Sequence, residues 1–263
     1  MSATTAATKV RLETHAAGLR VIRLADPTHR NAIDRVLGDE LERAVGEVAG
    51  DVESRVLVVT ADGPDFCAGA DLIDTFDGAA GRPLENVRAG LLRVYESFLA
   101  LRGLAIPTIA AVRGAAIGAG ANLALSCDVR IAGRDASFAF SFTRIGLHPG
   151  GGATWYLVDA VGRGRALRVL LDGETLDADA LLRAGIVERI ALDPEAEALA
   201  IAERWCALDP DLSRSIKRVV EAAALNGFEA SLELESWAQA RSAQRPQIQE
   251  AVDRMKARRQ GRS

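Results

Sequence analysis

The residues best placed to do chemistry in this chain are main-chain amides in turns built of glycine and alanine. The longest such stretch is Arg113-Gly114-Ala115-Ala116-Ile117-Gly118-Ala119-Gly120-Ala121-Asn122-Leu123-Ala124-Leu125-Ser126-Cys127-Asp128. Before it, Pro107-Thr108-Ile109-Ala110-Ala111-Val112 is short, apolar and opened by proline, the pattern of a buried strand. After it, Ala121 to Cys127 reads as the first turns of a helix packed on all sides. A strand–turn–helix of this kind leaves N–H groups at the helix start without partners, with the helix dipole behind them. Small side chains let a ligand atom approach those groups closely. The stretch therefore suits an anion or oxyanion held by main chain. A helix that merely packs tightly on a sheet would also explain it. A dinucleotide fingerprint fits poorly, because the third glycine position is Leu123, and no lysine follows to make a nucleotide phosphate loop.

A second turn has the same design. Arg55-Val56-Leu57-Val58-Val59-Thr60 is a β-branched run that reads as a central strand, and Phe66-Cys67-Ala68-Gly69-Ala70-Asp71-Leu72 follows it. The elements that must position the two turns can be taken in chain order. Lys9–Thr14 and Leu19–Leu24 alternate around Ala17-Gly18 as a hairpin. Asp34 caps a helix whose apolar face holds Leu37, Leu41, Ala44, Val45 and Val48. The polar stretch from Asp74 to Pro83 is expected to be mobile, and Leu84 to Leu101 forms a long helix. Strands are expected at Asp128–Ala132 and Ser137–Phe140, and a loop from Phe142 to Gly152. Helices are then expected at about 154–161, 164–171, 178–184 and 194–208, with a composition shift near Asp209-Pro210 before a helical tail reaching about Arg258. Strands alternating with helices, followed by helices alone, predict an α/β core over residues 1–208 and a helical region over 209–263.

Composition narrows the function. The 263 residues are 49% hydrophobic and 26% charged, an ordinary globular balance that can bury a large core. A net charge of −4 argues against broad nucleic-acid binding. Cys67, Cys127 and Cys206 fit neither a disulfide framework nor a zinc spacing, so a reducing, cytoplasmic setting is expected. The opening Met1-Ser2-Ala3-Thr4-Thr5 lacks the pattern of a signal peptide, and no apolar run has the length of a membrane span.

The two turns, with Pro149-Gly150-Gly151-Gly152 after them, resemble the crotonase superfamily of enoyl-CoA hydratases and isomerases, over about Val10 to Lys256. The resemblance implies a spiral of ββα units with a C-terminal helical trimerisation region, assembled as a trimer or a dimer of trimers. It implies an acyl-CoA substrate, with coenzyme A as part of that substrate and no separate cofactor or metal. By motif position, the thioester carbonyl would sit between the N–H groups of Ala70 and Ala119. The second position is usually glycine in that family; alanine keeps the donor provided its φ is negative. The adenine would lie on main chain near Ala68, in the segment continuing to Asp71, Leu72 and Ile73, with Gly118 beside the hole. Ile73 stands where a lysine is common. Arg30 and Arg254 are candidates for the CoA phosphates, with solvated surface charge as the alternative. Asp71 also reads as a helix cap.

The departures bear on turnover. The two glutamates of the hydratases fall on Asn122 and Phe142, and neither titrates. An amide holds water but cannot take its proton. The aspartate of isomerase and dehalogenase branches falls on Gly150. His148 has the chemistry for acid–base work, although it could equally pack against its loop. Asn122 could serve backbone groups only. Arg144 is expected to orient the loop or a substrate carboxylate, Trp155 and Phe140 to be core or acyl-pocket wall, and Asp74 and Asp77 to be solvated. Two readings follow: an enolate-stabilising acyl-CoA enzyme, including isomerase or thioesterase variants, and an acyl-CoA binder without chemistry.

Overall fold

The computed structural model describes residues 8–260, with side chains as far as Arg258. The Met1–Thr5 segment, from which the lack of a leader was inferred, lies outside the described residues. Strands β1 (Val10–Thr14) and β2 (Leu19–Leu24) form the expected hairpin, with Val10 opposite Leu24 and Thr14 opposite Arg20. Asp34 caps α1 (Arg35–Gly50) by accepting from the Leu37 N–H, and α1 buries Leu37, Leu41, Ala44, Val45 and Val48. Strand β3 (Val56–Ala61) follows. The stretch from Asp74 to Pro83 holds the end of α2 (Leu72–Phe76) and a 3-10 turn, Ala79–Gly81. Asp71 caps α2 through the N–H groups of Ile73 and Asp74, which is what organises that segment.

Helix α3 (Leu84–Leu99) and strand β4 (Thr108–Val112) lead into β5 (Ala115–Ile117), α4 (Ala119–Leu125), β6 (Val129–Gly133) and β7 (Ser137–Ala139). Next come α5 (Ala153–Asp172), β8 (Thr175–Asp177), α6 (Ala178–Arg183), β9 (Arg189–Ala191) and α7 (Pro194–Cys206). Within α5, Gly162 at φ 72°, ψ 164° breaks the backbone where the sequence predicts a gap between two helices. The short strands β5, β8 and β9 escape the sequence reading, because three residues are too few to show a period.

Among the described residues the strands make a six-stranded sheet, β1-β2-β3-β4-β6-β9, parallel beyond the hairpin, and a three-stranded sheet, β5-β7-β8. Alternation along the strands divides the core. Val56, Val58, Ile109, Ala111 and Ile131 face Ala198, Ile201 and Ala202 of α7. Leu57, Val59, Ala110 and Val112 belong to the larger cluster with Leu37, Leu41 and Val45 of α1 and with Leu123 and Ala124 of α4. Because both faces are covered, these strands read as continuous apolar runs.

The described residues up to Ala207 form one compact unit, and those from Leu208 a second. The second holds α8 (Pro210–Leu225), α9 (Phe228–Ala243) and α10 (Pro246–Gln260).

Candidate functional site

The segment after β3 is stitched by main-chain bonds on both sides. Toward β5, the Cys67 N–H donates to Ala115 O (3.1 Å) and the Ile117 N–H to Cys67 O (2.9 Å). On the other side, the Ala68 N–H donates to Arg30 O (2.9 Å), the Ile33 N–H to Gly69 O (2.7 Å) and the Asp71 N–H to Ile33 O (2.9 Å). Ala70 is the residue paired with Ile33 in this bridge. Its neighbours make the bonds, so its own N–H turns to the opposite edge, where Ile117 to Ala119 runs.

Two devices hold this segment. Asn31 is fully buried at φ 54°, a left-handed conformation asparagine tolerates. Its Oδ1 accepts from the Asp26 N–H, and its Nδ2 donates to Asp62 O (3.0 Å) and Asp65 O (3.1 Å). Asp65 in turn accepts from the Ala115 N–H (3.0 Å) and from Arg30 Nε (2.6 Å), and the guanidinium keeps its carboxyl below the usual range. Neither role was evident in the sequence, where both residues look like ordinary loop polars. The Cys67 thiol donates to Asn31 O (3.0 Å) and is pushed up to about 12 by burial, so it is a structural thiol rather than a nucleophile.

The second turn meets the first at close range. Gly118 adopts φ 52°, ψ −110°, which a side chain would strain, and its N–H is spent on Ala139 O (2.9 Å). Ala119 opens α4 as its first helical residue. A Cβ added to Gly69 would lie 3.6 Å from the Ala119 nitrogen, and one on Gly120 would overlap the Cys67 carbonyl. Ala70 and Ala119 both have negative φ, so alanine costs nothing at either. Among the described residues neither N–H has a hydrogen-bond acceptor.

Both alanines line a cavity of about 410 Å³. Ala68, Leu72, Gly118, Asn122, Phe142 and His148 share its wall. Apolar side chains of Phe76, Leu91, Val94, Ile145 and Leu147 make most of the remainder. The wall carries no Asp or Glu among the described residues. Asn122 is 1% exposed; its Nδ2 donates to Gly150 O (2.8 Å), and its Oδ1 has no partner among the described residues. Phe142 lays its ring edge over Gly118, 3.5 Å from where a Cβ would stand. His148 Nδ1 lies 2.7 Å from Pro149 O. A carbonyl only accepts, so Nδ1 is the donor in this contact, and in the neutral ring Nε2 is the acceptor. Tyr95, from α3, also lines the cavity and was not identified from the sequence. Its signal is weak there, a single phenol in an amphipathic helix.

Other candidates lie elsewhere. Arg30 and Ile73 are not in the cavity wall: Arg30 is ion-paired with Asp65, and Ile73 is 78% exposed. Asp71 is occupied as the cap of α2, and Asp74 accepts from the Arg35 N–H (2.8 Å) rather than being simply solvated. Arg144 packs against Gly173, outside the cavity wall. Trp155 is neither core nor pocket wall: it is 46% exposed under the Arg102 guanidinium, 4.1 Å from the ring centroid. Phe140 is fully buried core. Arg254, on α10, has its guanidinium 3.7 Å from Glu250.

Comparison with known proteins identifies the family. The family profile described as enoyl-CoA hydratase/isomerase matches residues 14–262. The chain is 41% identical over 234 residues to "Probable enoyl-CoA hydratase echA14" of Mycobacterium tuberculosis, covering 87% of this chain and 90% of that protein. It is 33% identical over 221 residues to 1,2-epoxyphenylacetyl-CoA isomerase of Escherichia coli K12, covering 83% and 84%. The crystal structure of an enoyl-CoA hydratase from Bacillus anthracis superposes with a TM-score of 0.85 at 27% identity, covering 95% of this chain and 96% of that one. Sequence over most of its length and a shared mixed α/β architecture thus lead to one assignment: the chain belongs to the enoyl-CoA hydratase/isomerase family, the crotonase superfamily.

Proposed function

We propose that this protein binds an acyl-CoA thioester with its carbonyl oxygen on the N–H groups of Ala70 and Ala119, and stabilises the enolate formed beside that carbonyl. The observation that carries the reading is the pair of unbonded amides, from two turns in close contact, on the wall of one apolar cavity. Charge gathers on the thioester oxygen as an enolate forms. Donors fixed beforehand in a water-poor site favour that state by roughly 3 kcal/mol each. The acyl chain lies among Leu72, Phe76, Leu91 and Val94, and coenzyme A enters as part of the substrate, with no separate cofactor. Asn122 Oδ1, buried without a partner, is suited to hold a water or a substrate hydroxyl, and His148 Nε2 to take a proton from it.

The absence of a carboxylate from the described cavity wall favours a second reading, an acyl-CoA binder that turns nothing over. Incubation with short and medium trans-2-enoyl-CoAs decides between them. Loss of the conjugated thioester absorbance supports the enzyme; tight binding without that loss supports the binder; no binding at all removes both. The trimer is a further part of the proposal, supported by exposed apolar side chains such as Val220, Phe228 and Trp237 on α8 and α9. Light scattering should give three or six chains. A cytoplasmic setting is consistent with the burial of Cys67, Cys127 and Cys206. No helix among the described residues is long and apolar enough to cross a membrane.

A further inference from the structure

We infer that Tyr95 is the proton donor to the α carbon of the bound thioester, an assignment that rests on the enolate reading above. The phenol reaches the cavity from α3 and lies over the Gly150-Gly151 turn. A Cβ on Gly150 would overlap the Tyr95 hydroxyl, and one on Gly151 would lie 3.4 Å from the edge of the Tyr95 ring and 2.8 Å from Asn122 Nδ2. The two glycines therefore keep open the space that Tyr95 and Asn122 fill. Among the described residues of the cavity wall, Tyr95 and His148 are the titratable side chains.

The hydroxyl is arranged as a donor. It lies against the Gly150-Gly151 main chain at the cavity wall, and among the described residues its hydrogen has no acceptor. Burial raises the phenol above its ordinary range, so it is protonated at neutral pH. In a hydration, a water held by Asn122 loses a proton to His148 Nε2 as its oxygen bonds to the β carbon. The π electrons of the enoyl group move onto the thioester oxygen, giving the enolate. The Tyr95 O–H bond then breaks with its electron pair left on the phenol oxygen. The α carbon takes that proton, and the carbonyl re-forms. Bulk water then carries the proton from His148 back to the phenolate. In reverse, His148 Nε2 takes the phenol proton through bulk water, the phenolate so formed removes an α proton from a saturated thioester, and the electrons of that C–H bond pass to the thioester oxygen as the enolate.

The reverse step provides the test, since it needs no second substrate. Octanoyl-CoA is incubated with the full-length protein in D2O, α-deuterium is read by mass spectrometry, and affinity is measured by calorimetry. Wild type is expected to exchange the α protons. Tyr95→Phe is expected to bind octanoyl-CoA within about twofold of wild type and to exchange about 10²-fold more slowly or worse. Exchange by Tyr95→Phe at the wild-type rate overturns the assignment and leaves the enolate reading intact. Binding by wild type without exchange overturns the assignment and the enolate together, leaving a binder. No binding refutes the acyl-CoA reading itself. Gly150→Ala is the second variant, should Tyr95→Phe fold poorly. Its methyl pushes the hydroxyl aside, and it is expected to slow exchange at least tenfold with octanoyl-CoA still bound; unchanged exchange counts against the assignment.

Discussion

The two sides of the cavity are made of different material. On one side, Ala70 and Ala119 present backbone amides, fixed by hydrogen bonds between the segment after β3, Ile33 and β5. On the other, Tyr95, Asn122 and His148 present side chains from α3, α4 and the loop before α5. The first side depends on where glycine and alanine fall and hardly on what their side chains are. The second depends wholly on side-chain identity. A cavity of this design can keep its affinity for a thioester while its proton chemistry changes, so binding and turnover should respond to different mutations.

The strongest attack on the amide side is Ala119→Pro. Proline is tolerated at the first position of a helix, where its missing N–H costs the helix nothing. Removing one donor to the oxyanion should cut α-proton exchange or hydration by about 10²–10³ with the circular dichroism unchanged. A folded variant at full rate would break the comparison at its root.

The next effect is a pH dependence confined to the bracing of the amide side. Burial alone would raise the Asp26 carboxyl, but bonds from Lys9, His29 and Thr28 outweigh it and hold the group at about 2. Its unfolded value is near 3.8, so the native state is stabilised by the ionised form. That stability is complete above about pH 4 and is lost as pH falls toward 2, on the order of 2 kcal/mol. Asp26→Asn should lower the unfolding free energy by that order at pH 7 and show a flatter acid limb in urea titrations. An equal response at pH 7 and pH 2 would remove Asp26 from the bracing.

A smaller effect is expected across the cavity. Asn122→Ala takes the donor from Gly150 O and should cost about 1 kcal/mol of stability by chemical denaturation. Thioester affinity should change little, whereas a large fall in it would merge the two sides into one. The smallest is Arg30→Ala. Its bond to Asp65 is exposed, so stability should move by less than about 1 kcal/mol. Should affinity for CoA esters also fall, and the fall shrink at high salt, the arginine meets the phosphates.

The sequence disclosed the amide side and, of the other, Asn122 and His148 but not Tyr95. Gly69 and Gly120 sit at close approaches that no larger residue could make, and Gly118 at a φ of 52° that a side chain would strain, so their positions in the sequence report the geometry directly. The hairpin, the buried β3 and β4 and the capped α1 follow from period and caps, which are local properties. Tyr95 was hidden because its function depends on two glycines more than fifty residues away, and its own helix would bury an aromatic there for packing alone. Asn31 was hidden for the same reason: its amide joins two loops that only the fold brings together. Trp155 misled because a large aromatic suggests a core, whereas a cation over its ring makes a surface position acceptable.

Because the two amide donors belong to residues that are already alanine, a conventional alanine scan would pass over them without registering anything. Loss-of-function screens on this chain should therefore collect hits at the neighbouring glycines and at Asn31 while the two proposed donors stay unmarked. Chemical replacement of a single peptide N–H by an ester oxygen would show them.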